Sequence, residues 1–98
     1  MIYRQDVDAE MTRGPDEGAV FGRRLREMRQ QRNITQETLS RTAGLTEGYI
    51  SSMERGLKIP SLTTILRLAE ALKCSVTDLV SVFDKPPHAR RRVAGVQQ

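Results

Sequence analysis

The sequence predicts an all-α fold of five short helices, and three observations carry that prediction. Apolar residues recur at three- and four-residue spacing in successive segments. Thr35, Thr46, Ser61 and Ser75 each stand just before such a segment, where a side-chain hydroxyl can accept from a backbone N–H that an opening turn leaves unpaired. Asn33, Gly44, Gly56 and Pro60 stand where helices would have to stop.

The first helix is expected from about Glu17 or Ala19 to Arg32, with Phe21, Leu25 and Met28 on its buried stripe and Arg23, Arg24, Arg26, Arg29 and Arg32 on its other faces. Asn33 ends it, because Asn tolerates the left-handed conformation better than most residues. The second helix starts at Gln36 after the Thr35 cap and ends at Gly44. The third follows its Thr46 cap and stops at Gly56. Leu39, Ala43, Leu45, Ile50 and Met53 fall where two crossing helices would share one core, and the small Ser40 sits at the close approach. Residues 36–55 therefore read as a helix-turn-helix, a unit whose second helix can enter a major groove.

Leu57 to Pro60 form a loop that Pro60 keeps non-helical. Ser61 caps a fourth helix, with Leu62, Ile65, Leu66, Ala69 and Leu72 expected on one buried face. Cys74 and Ser75 break it. Ser75 then caps a fifth helix running to about Val82 or Phe83. Val76, Leu79, Val80 and Phe83 are more apolar than one short surface helix needs for its own packing, which suggests a homodimer interface. Completion of the core within one protomer is the alternative. Residues 1–17 read as a flexible acidic leader, 18–84 as the folded domain, and 85–98 as a flexible basic tail.

Ninety-eight residues allow one domain with a modest core. The net charge of +4 is unevenly spread: residues 1–17 carry two Arg against five acids, residues 18–85 eleven Lys or Arg against seven acids, and residues 86–98 three Arg and no acid. A basic body and tail fit a polyanionic partner, or serve solubility alone. One cysteine cannot form an internal disulfide, which points to a reducing compartment. No apolar run approaches the ~20 residues needed to span a membrane, so a cytoplasmic protein is expected. His88 has no other His to join it in a zinc site, and no nucleophile and base pair or phosphate-cradling Gly-rich loop stands out. Neither an enzyme, nor a metal or other cofactor, nor a small-molecule ligand is expected. Cys74 reads as a small hydrophobe.

Taken together, NITQETLS, AGLTEGYISSMERG and KIPSLTTILRLAEALK resemble the Cro-like phage-repressor family, also called XRE-type helix-turn-helix proteins, over about Phe21 to Phe83. The resemblance implies a lambda-repressor-like five-helix bundle. It also implies a sequence-specific transcriptional regulator, a repressor or controller that binds double-stranded operator DNA as a homodimer. Short members include phage repressors, restriction-modification controllers and antitoxins. By position, Gln36, Thr46, Arg55 and Lys58 are implied to meet phosphates. Glu47, Gly48 and Ser52 are implied to face base edges, with Tyr49 and Ser51 beside them. Arg29 and Glu54 are implied to form a structural ion pair. Three residues depart from the family pattern: Gly48 has no side chain with which to read a base, Glu47 is acidic beside a phosphate backbone, and Lys73 replaces the Gly usual after the fourth helix. Glu47 and Gly48 also keep open a rival reading, a protein-interaction module that retains the fold with weak or no specific DNA binding.

Overall fold

In a computed structural model, which describes residues 16–84, the chain forms α1 (Glu17–Gln31), α2 (Gln36–Ala43), α3 (Glu47–Glu54), α4 (Leu62–Leu72), α5 (Val76–Val80) and a 3₁₀ turn over Ser81–Phe83. Residues 1–15 of the expected leader and the expected tail over 85–98, with His88 and its three Arg, lie outside the described residues.

Every helix start carries a side-chain cap. Thr35, Thr46, Ser61 and Ser75 each accept from the backbone N–H three residues on, at 3.0 to 3.1 Å. Asp78 reciprocates at α5 by accepting from the Ser75 N–H at 3.1 Å, so α5 opens on a capping box. At α1 the cap is Asp16, whose Oδ1 accepts from the N–H groups of Gly18 and Ala19. Asp16 and Glu17 thus belong to the start of α1 rather than to the leader. Helix ends follow the same economy of means: Gly44 closes α2 in the left-handed region, Asn33 takes φ 56° after α1, and Lys73 takes φ 58° after α4. Lys73 adopts there a conformation that costs a residue with a Cβ about 1–2 kcal/mol.

The core gathers Phe21, Leu25 and Met28 of α1, Leu39 and Ala43 of α2, Ile50 and Met53 of α3, Leu68, Ala69 and Leu72 of α4, and Leu79 of α5. α1 packs on α3 and α5, α2 on α3 and α4, and α4 on α5. The approach of α1 to α3 is close enough to require glycine. A Cβ at Gly22 would overlap the carbonyl oxygen of Met53 and lie 2.8 Å from that of Glu54. One turn earlier, a Cβ at Gly18 would lie 2.8 Å from the carbonyl oxygen of Gly56.

Two further expectations are corrected. In α4, Leu62 and Leu66 do not face the core: they are 68% and 49% exposed, and the inward face is built from Thr64, Leu68, Ala69 and Leu72, with Ile65 half-buried. The stripe is rotated because Leu68, which the sequence pattern left off the buried face, points directly into the core. In α5, Leu79 is not available to a second subunit. It is fully buried within the protomer, where α5 packs on α1 and α4. Val76 and Val80 are half-buried and Phe83 is 40% exposed, and the helix gives way to the 3₁₀ turn after Val80.

Candidate nucleic-acid interface

Between α2 and α3 the chain turns through Gly44, Leu45 and Thr46. The Gly44 N–H returns to the carbonyls of Ser40 and Arg41, and the Leu45 N–H donates to the Ser40 carbonyl at 2.8 Å. This pairs the last carbonyls of α2 and fixes the angle at which α3 departs. Ser40 is buried there, with its hydroxyl donating to the Glu37 carbonyl at 2.7 Å.

A carboxylate secures the far end of α3. Arg29 Nε donates to Glu54 Oε2 at 2.6 Å and Arg29 Nη2 to Glu54 Oε1 at 3.0 Å, a bidentate pair whose side chains are 12% and 3% exposed. Gln36 Nε2 donates to the same Oε1 at 3.0 Å, and Arg29 Nη1 donates to the Ile34 carbonyl at 2.9 Å. One network therefore joins α1, the loop after it, the first residue of α2 and the last residue of α3. The hydrogen bond to Glu54 holds the Arg29 guanidinium pKa above its ordinary value, with burial working against it. Gln36 keeps one amide hydrogen for another acceptor, because only one is used on Glu54.

What this frame presents outward is the N-terminal half of α3. Glu47 and Gly48 are exposed, while Tyr49, Ser51 and Ser52 are half-buried. Tyr49 packs against the core from outside, so its ring is held rather than free. Thr46, Gly48, Tyr49, Ser52 and Lys58 line one shallow concavity, which brings candidates for phosphate and for base contact side by side. Arg55 lies at the opposite end of α3, exposed, and among the described residues neither Arg55 nor Lys58 is in an ion pair.

Several residues that shape this surface carried no expectation from sequence. Gly18 and Gly22 set the depth of α1 against the end of α3, and their four-residue spacing is a signal that could have shown it. Arg24 Nε donates to the Asp78 carbonyl at 2.8 Å and Arg32 Nε to the Leu72 carbonyl at 2.6 Å. These two arginines serve the backbone of α5 and the end of α4, and nothing local in the sequence separates them from the exposed Arg23 and Arg26. No group of His, Cys, Asp and Glu among the described residues could hold a metal ion, and no described helix is long and apolar enough to cross a membrane.

Residues 25–79 match the helix-turn-helix family. An uncharacterized HTH-type transcriptional regulator of Sinorhizobium fredii, y4dJ, is 33% identical over 72 residues, covering 74% of this chain and 94% of that protein. The HTH-type transcriptional regulator PuuR of Escherichia coli is 34% identical over 72% of this chain, which spans 38% of PuuR. Among solved structures, the restriction-modification controller protein C.AhdI from Aeromonas hydrophila superposes with a TM-score of 0.63 at 41% identity, over 64% of this chain and 96% of that one.

Proposed function

Because this chain belongs to the helix-turn-helix family of DNA-binding transcriptional regulators, we propose that it occupies an operator of two half-sites as a homodimer and acts there as a repressor or controller. Its site of action is then the nucleoid in the cytoplasm. The observation that carries the reading is the pairing of a polar, exposed N-terminal face on α3 with a buried network that fixes where this face points. Glu47, Tyr49, Ser51 and Ser52 read base edges, with Gly48 among them. Gln36, Thr46, Arg55 and Lys58 take phosphates and hold the register. Glu47 is accommodated by a base amine, since a carboxylate accepts from cytosine N4.

The subunit contact uses Phe83 with the half-buried Val76 and Val80, extended by Ile59, Leu62 and Leu66. Ile59 and Leu62 are the most exposed large apolar side chains of the described chain, at 66% and 68%. Ile59, Ile65, Val80 and Phe83 already line one groove with Phe21. A face of this kind on a charged protein matches a copy of itself about a two-fold axis. It also supplies the second recognition surface that a single module of about 600–1,000 Å² lacks. Two subunits joined in this way read half-sites about 10 base pairs apart, centre to centre.

The contrast between two kinds of variant tests the assignment. Glu47→Ala and Ser52→Ala change which sequence is preferred, whereas Lys58→Ala weakens binding to all sequences about equally and lowers the salt slope by about one. If both kinds weaken every sequence alike, α3 is not the reading helix. DNA binding also falls steeply with salt, with a log-log slope of about 0.9 per phosphate contact. A partner-protein complex without that slope would favour the interaction-module reading instead.

A further inference from the structure

Gly48 is the second residue of α3 and lies exposed on its outward face, where glycine is a poorer helix former than a residue with a side chain. Packing does not require it. A Cβ built on Gly48 meets no heavy atom within 4 Å, whereas one at Gly22 overlaps backbone. The missing side chain leaves open space on the floor of the shallow concavity lined by Thr46, Gly48, Tyr49, Ser52 and Lys58.

We propose that this notch seats the 5-methyl group of a thymine, so that thymine is the base selected opposite Gly48 in each half-site. The inference rests on α3 being the reading helix. Among the groups that bases present in the major groove, the thymine methyl is the one apolar projection; the others are hydrogen-bond donors and acceptors. A side chain at position 48 would occupy the volume such a methyl needs. The walls are fixed before DNA arrives. Thr46 is held by its cap to the Tyr49 N–H at 3.1 Å, and Tyr49 packs against the core. With the Thr46 oxygen accepting in that cap, the Thr46 methyl, the Gly48 Cα and the Tyr49 ring are the apolar groups that these lining residues offer. Ser52 brings a hydroxyl donor to the same concavity, which suits the O4 acceptor that accompanies the methyl on thymine. Glu47, one residue away and exposed, disfavours the acceptor-rich edge of guanine at this step.

The test uses an operator selected from random DNA, with each thymine in turn replaced by uracil, which removes only the methyl. The wild-type chain loses about fourfold in affinity at one thymine per half-site, the equivalent of one apolar carbon returned to water. Gly48→Ala, whose added methyl has room to fold normally, binds the thymine and uracil duplexes alike at that position. A wild-type chain that binds its operator specifically but is indifferent to every uracil overturns the notch and leaves α3 as the reading helix. So does a Gly48→Ala variant with undiminished preference for thymine. Failure to enrich any operator removes the α3 reading itself, and the notch with it.

Discussion

The side-chain amide of Gln36 donates to Glu54 Oε1 at 3.0 Å, joining the first residue of α2 to the last residue of α3. Because Arg29 grips both oxygens of the same carboxylate, the angle between the two helices does not rest on the intervening turn alone. A DNA-reading helix needs that constraint: its side chains must meet base edges at hydrogen-bond distance, and every degree of play is lost specificity.

Removing one partner from this network is expected to be costly, because a buried charge loses its counter-charge. Arg29→Met and Glu54→Leu should each lower stability by about 3–5 kcal/mol, and the double variant should recover much of the loss. Urea unfolding followed by circular dichroism checks it. Additive losses in the double variant would show that the pair acts independently of each other.

Two glycines separate packing from function. Gly22→Ala forces a Cβ into the backbone of α3 and should destabilise by about 1–3 kcal/mol or more. Gly48→Ala meets open space and should stabilise by up to about 1 kcal/mol. Midpoints of thermal unfolding should move in opposite directions for the two variants.

Lys73 offers a gain. Its left-handed backbone, at φ 58° and ψ 46°, is one that glycine adopts freely. Lys73→Gly should raise stability by about 1 kcal/mol, read as a higher urea midpoint with an unchanged slope.

Most of the fold was legible in the sequence because its signals are local. Caps at Thr35, Thr46, Ser61 and Ser75 and the stop at Gly44 are decided by one side chain and the turn next to it. The errors arose where burial depends on distant chain. Leu62, Leu66 and Leu68 are chemically alike on one helix, and only the position of α2 and α5 against α4 decides that Leu68 goes inside. Leu79 went astray for the same reason, since a small domain can use an apolar residue for its own core or for a partner. In the candidate site, the Arg29 and Glu54 positions followed from the family resemblance, while the Gly22 contact with α3 and the roles of Arg24 and Arg32 depend on helix crossings that periodicity does not encode.

Cys74 gives a pH signature. Burial pushes its thiol pKa up, with the nearby Arg32 charge opposing. The fold favours the neutral thiol, so this contribution is complete below the unfolded-state pKa of about 8.5 and is lost as pH rises through the folded value. Alkylation of the folded chain should show its pH–rate curve displaced to alkaline relative to the unfolded chain. Cys74→Ser should lack the matching decline in stability.

The proposed subunit contact is tested by charge. Leu62→Asp and Leu66→Asp alter exposed positions and should leave the protomer folded. Sedimentation should then report a monomer where the wild type is a dimer, and operator binding should weaken. A variant that stays dimeric would move the interface elsewhere.

The central claim is that two copies of α3 read an operator, and the most direct measurement is selection of bound duplexes from a random DNA pool at near-physiological salt. The account predicts an enriched inverted repeat with half-sites about one helical turn apart. Binding without an enriched sequence, or no binding at all, would contradict it.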